Sequence, residues 1–178
     1  MRLLSIVFLS CLCACANGAP KTSAPATGLV SSLTTFAEGG QGKDRFTALY
    51  LLAKIDIDAD NLNRLQLTCG QPISRIDALF CAYLMYNKLQ SLPAARQFID
   101  AFPANVQDLR SVFANSLRVE LPVELIDLLR NLATTDDAAL QKLVVASDAA
   151  DGWIAESLAS ALGDLKARNP ERIRKLRQ

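Results

Sequence analysis

The chain contains no histidine in 178 residues. That absence removes the Ser-His-Asp and Cys-His nucleophile systems, the common general base near neutral pH, and every histidine-bearing zinc site. Aromatic residues are scarce at 6%, with a single tryptophan, Trp153. Such scarcity suits helix-on-helix packing better than a β-sandwich. Strand alternation is also missing. Asn-Gly, the strongest short hairpin signal, occurs only at Asn17-Gly18. No G-x-S-x-G, P-loop or Rossmann fingerprint is present. From residue 38 onward charges recur too often for a spanning helix, which needs about 20 apolar residues.

Apolar residues make up 51% of the chain, mostly Leu, Ala, Val and Ile, so a packed core is expected rather than disorder. The formal charge is +1, which excludes a nucleic-acid footprint at the level of the whole chain. The N-terminus has the three parts of an export signal. Arg2 gives one positive charge, Leu3 to Leu12 is almost wholly apolar, and small residues follow. The reading is a signal peptide over 1–14, a flexible linker over 15–33 rich in Ala, Ser, Thr and Pro, and one all-α domain over 34–178 ending in a basic tail.

The exit of the signal, Leu12-Cys13-Ala14-Cys15, resembles the lipobox of bacterial lipoproteins, although Cys13 stands where Ala, Ser or Thr is commoner. The resemblance covers these four residues and the apolar run before them. It implies cleavage before Cys15, a lipid on Cys15, and a membrane anchor on the periplasmic face of the envelope. Residue two of the mature chain would be Ala16 rather than the aspartate that retains enterobacterial lipoproteins in the inner membrane, which implies the outer membrane. Ala14-Cys15-Ala16 is also an A-x-A site, and cleavage after Ala16 would release a soluble periplasmic or secreted protein.

Of five cysteines, Cys11 and Cys13 leave with the signal. Cys69 and Cys81 remain as an even pair in an oxidising compartment, which predicts a disulfide; two buried free thiols are the alternative. Their Cα atoms must then come within about 7 Å, so the helices carrying them have to cross rather than run strictly antiparallel.

Helical periodicity sets in from Thr34. Phe46, Leu49, Tyr50 and Ala53 share one face. A short helix over 60–68 stops at Gly70. Ser74 reads as an N-cap, with Asp77 three residues on in a capping-box arrangement. The helix it opens is apolar nearly all round from Leu79 to Tyr86, which marks it as central. Pro93 and Pro122 each suit a first helical turn. Thr134-Thr135-Asp136-Asp137 caps a further helix, and Asp151-Gly152 turns into a long one broken at Pro170. The fold class is therefore all-α, a compact helical bundle or short α-solenoid of about eight helices. Leu92-Pro93, Leu121-Pro122 and the run from Ala149 to Gly152 with Asn169-Pro170 are similar in style to HEAT-like repeats over the last hundred residues, without a diagnostic repeat consensus.

Candidate chemistry is thin. Asp56, Asp58 and Asp60 begin like an EF-hand loop, but Asn61 stands where glycine is needed and Leu67 where the bidentate glutamate is needed. A helix-to-helix turn capped by Asp58 or Asp60 explains them. Asp136 and Asp137 are explained by the positive end of a helix dipole. A carboxylate-based cell-wall hydrolase would have to use such pairs. The expectation is no catalytic set, no metal and no cofactor. Trp153 reads first as a buried anchor of the last long helix, and the basic run as a solvated helical tail. The alternative makes Trp153, Arg168, Arg172, Arg174, Lys175 and Arg177 partner contacts: exposed tryptophan is favoured at interfaces, and the basic run suits an acidic partner or anionic lipid headgroups. The functional expectation is an envelope-anchored protein-binding module, such as an immunity protein or inhibitor acting on a periplasmic toxin or hydrolase. An accessory lipoprotein of a secretion or outer-membrane assembly is the alternative.

Overall fold

Side-chain oxygens open most of the helices, as orphan N–H groups at a helix start require. The computed structural model describes residues 24–115 and 120–176. Among them are ten helices and no strand. In order these are α1 (Ala24–Gly39), α2 (Gly42–Lys54), α3 (Ala59–Cys69), α4 (Arg75–Leu89) and α5 (Leu92–Ala101), then α6 (Val106–Asn115), α7 (Glu120–Ala133), α8 (Asp137–Ala149), α9 (Gly152–Arg168) and α10 (Pro170–Leu176). The all-α class is as expected, with helices gathered around one continuous core. Asp58, Ser74, Ser91 and Asp136 cap α3, α4, α5 and α8 through their side chains. Of the two caps expected for α3, the structure selects Asp58.

α4 is the central helix, as its all-round apolar run predicted: residues Leu79 to Met85 are all buried. It touches α2, α3, α5 and α6, while α7, α8 and α9 pack on one another and α10 packs on α9. The few aromatics converge here. Phe46 stacks on Phe80 with ring centroids 5.0 Å apart, and a line runs from Tyr50 through Tyr83 and Phe98 to Phe102. Such pairs add to the stabilisation from buried area.

Two elements go beyond the eight expected. α1 starts at Ala24, so the domain begins inside the stretch expected as linker, and the boundary at residue 34 is corrected. Val30, Thr34 and Ala37, spaced i, i+4, i+7, are buried, and that spacing forms one helical face. Pro25 sits in the first turn, where its missing N–H costs nothing. α10 is the second: the basic tail is a short helix held down by buried Ile173. Cys15 and the signal lie outside the described residues.

Ion pairing accounts for the tightest joint. Arg45 and Asp77 are both buried, and the Arg45 guanidinium donates to both carboxylate oxygens of Asp77, at 2.5 and 3.0 Å. Arg45 also donates to the Ala37 carbonyl near the end of α1. One side chain therefore links α1, α2 and α4. Cys69, the last residue of α3, forms a disulfide with Cys81 in the second turn of α4, with Cα atoms 5.2 Å apart.

Candidate functional site

Of the carboxylates singled out in the sequence, Asp58 and Asp136 cap helices, and Asp136 and Asp137 pair with Arg96 and Arg172. Asp58 accepts from the Asn61 backbone N–H at 2.9 Å and from its side-chain amide at 2.7 Å, and these bonds hold its carboxyl below the usual range. Asp56 and Asp60 are exposed beside it. Asp136 accepts from the N–H groups of Ala138 and Ala139 and pairs with Arg96. Among the described residues, no group of three or more His, Cys, Asp or Glu could hold a metal ion.

A polar cluster absent from the sequence reading joins the two halves of the bundle. Lys54 at the end of α2 meets Glu124 in the first turns of α7, with Nζ 2.7 Å from Oε2. Tyr83 and Tyr50 donate their hydroxyls to the same carboxylate at 3.0 and 3.2 Å. The ammonium lies over both tyrosine rings, 5.3 and 5.5 Å from their centroids, a cation–π arrangement. Burial alone would lower the Lys54 pKa, but the hydrogen bonds to Glu124 and Tyr83 outweigh it and hold the ammonium above its ordinary value. Burial would likewise raise Glu124, and its bonds from Lys54 and Tyr83 bring it below its ordinary value instead. Burial pushes the Tyr83 phenol up to about 12. Near neutral pH the lysine stays charged, the glutamate stays ionised and the phenol stays protonated. The arrangement is a clamp between α2, α4 and α7 rather than an acid–base pair with opposed roles. Tyr50 and Tyr83 were legible as core positions; Glu124, 74 and 41 residues further along the chain, was not.

The basic C-terminal region is divided by the fold. Arg172 turns inward. Its guanidinium donates to the Ala133 and Thr134 carbonyls at the end of α7, each at 2.7 Å, and to Asp137 at 2.7 Å. It caps the negative end of α7, so the partner-facing reading of this residue is corrected to an internal one. Arg174 pairs with Glu171 one turn back on α10. Arg168 and Lys175 are exposed, and Arg177 lies outside the described residues. Trp153, in the first turn of α9, is 46% exposed rather than buried as an anchor of that helix.

Lys166, Glu171 and Arg174 line a groove of about 650 Å³ between α8, α9 and α10, with Arg174 paired to Glu171. Its floor is Ala159, Leu162, Gly163 and Ile173. A Cβ built on Gly163 would meet no atom within 4 Å. Glycine inside a helix costs about 1 kcal/mol relative to alanine, and nothing in the chain's own packing requires it here. A side chain there would project into open space beside the groove. A volume in this range, an apolar floor and a few charged groups at the rim are the features of a binding cleft.

Fold and groove together define a class: a disulfide-braced helical domain with one continuous core and a largely apolar cleft of mixed charge at its C-terminal end. No family model matches the chain, and neither a curated protein nor a solved structure matches it.

Proposed function

We propose that this chain is an envelope-anchored protein-binding module, held by a lipid on Cys15, that neutralises a periplasmic toxin or hydrolase. The observation that carries the reading is the groove between α8, α9 and α10, whose lining is mostly apolar, includes Gly163, and carries Lys166 beside the Arg174–Glu171 pair. An acidic segment with an apolar anchor would fit both parts. The lipobox-like Leu12-Cys13-Ala14-Cys15 and the Cys69–Cys81 bridge support an oxidising, membrane-proximal address.

The test is capture with the processed chain from envelope and secreted extracts, followed by assay of the captured protein. The expected result is one partner bound one-to-one whose toxic or hydrolytic activity falls on binding. Gly163→Leu, whose Cβ meets no atom within 4 Å and whose side chain would occupy space beside the groove, should abolish capture while the melting temperature holds or rises. Lys166→Glu should weaken capture and make it less sensitive to salt. Several structural envelope proteins in place of one enzyme would instead establish an assembly role, and capture unchanged by Gly163→Leu would remove the groove from the interface.

A further inference from the structure

α1 carries an apolar stripe that the other described residues do not cover. Leu29 and Phe36 are 54% and 56% exposed, and Leu33 between them is only partly buried against the core. The spacing i, i+4, i+7 places the three on one side of the helix. The stripe lies on the flank of α1 opposite Glu38, which pairs with Arg64 of α3. No charged residue occurs between Lys21 and Glu38, so from Gly28 up to Glu38 the exposed residues of α1 are Gly28, Leu29, Ser31, Ser32, Thr35 and Phe36. An uncharged, half-apolar helical face is poorly matched to water and well matched to the boundary between headgroups and acyl chains.

Chain length supplies the occupant. Cys15 and Ala24 are nine residues apart, a span of at most about 30 Å when fully extended. A lipid on Cys15 therefore keeps α1, the first described helix, within that distance of the bilayer.

We propose that the Leu29–Leu33–Phe36 face of α1 lies on the membrane surface, with Leu29 and Phe36 inserted at the acyl boundary. The inference rests on the lipid-anchor reading of Cys15. It orients the domain: α1 faces the bilayer as a second point of attachment and limits tumbling about the tether.

The test uses the processed chain reconstituted into vesicles of phosphatidylethanolamine and phosphatidylglycerol, with Trp153→Phe so that a new tryptophan reports alone. Phe36→Trp and, separately, Leu29→Trp are followed in vesicles with and without brominated acyl chains, alongside vesicle flotation and palmitate labelling. The expected result is flotation, a blue-shifted emission, and loss of emission at both positions when the chains are brominated. A chain that floats but keeps its emission in brominated lipid overturns the orientation and leaves the lipid anchor standing. A blue shift without bromine quenching places protein, not lipid, on that face and overturns it equally. A chain that takes no palmitate and does not float ends both readings.

Discussion

Arg45 and Asp77 show at the residue scale how a local signal can hide a distant partner. Ser74 followed by Asp77 reads as a capping box, and half of that holds: the Asp77 N–H donates to Ser74 Oγ at 3.1 Å. The Asp77 carboxylate does not return to the cap residue. It accepts from the Ile73 N–H at 3.0 Å and from Arg45 on α2. Removing one member of a buried pair leaves the other charged and unsolvated, at a cost of about 3–5 kcal/mol. Asp77→Ala should therefore lower the unfolding free energy by about that amount in urea titrations. Replacing both, as Arg45→Met with Asp77→Leu, should recover most of the loss, since apolar packing substitutes well for a buried pair. A double variant no better than Asp77→Ala would mean that the bonds to Ile73 and Ala37 matter more than the charge balance. Lys54 and Glu124 make the same point. Nothing within a few residues of either marks it, because the pairing depends on how α2 and α7 meet.

Elements were more legible than pairs. The caps at Ser74 and Asp136, the central α4, and the stop at Gly70 could all be read from spacing, because caps and periodicity are local physics. α1 escaped because its Ser, Thr, Pro and Gly content resembles a linker. Its burial is carried by Val30, Thr34 and Ala37, only one of which is strongly apolar. The docking of α10 escaped because a short basic helix has no apolar signature beyond Ile173. The cysteine pair was read from parity and compartment, and its geometry agrees with that reading. α3 leans on α4 through this bridge and through few other contacts, so the bridge should contribute strongly to keeping α3 in place. Cys69→Ser with Cys81→Ser should cost about 3 kcal/mol on the loop-closure estimate. Hydrogen exchange should show the loss concentrated in α3 rather than spread over α7 to α9. Uniform loss of protection would mean that the bridge stabilises the whole fold rather than one element.

The whole molecule has a stability profile set in part by the clamp between its halves. Glu124 has its pKa lowered on folding, so its contribution is present above its unfolded value near 4.5 and is lost as pH falls through the folded value. Asp58 and Asp108 shift in the same direction and add to that acid limb. Lys54 and Tyr83 have raised values, so their contributions are present below their unfolded values and are lost as pH rises, for Tyr83 between 10 and about 12. Thermal melts should therefore show a plateau through neutral pH with a decline below about 4.5. Glu124→Gln should lower the plateau and make the acid decline shallower. An unchanged acid limb in that variant would assign the decline to the exposed caps alone.

Residues Gly70 to Ser74, between α3 and α4, are all exposed, and the Cys69–Cys81 bridge spans them. A protease reaching this loop would cut the backbone without parting the molecule. The two pieces would stay joined by sulfur, seated on the same core, and would separate only under a reductant. A fully exposed inter-helix loop is thus one where a single cut leaves the molecule in one covalent piece.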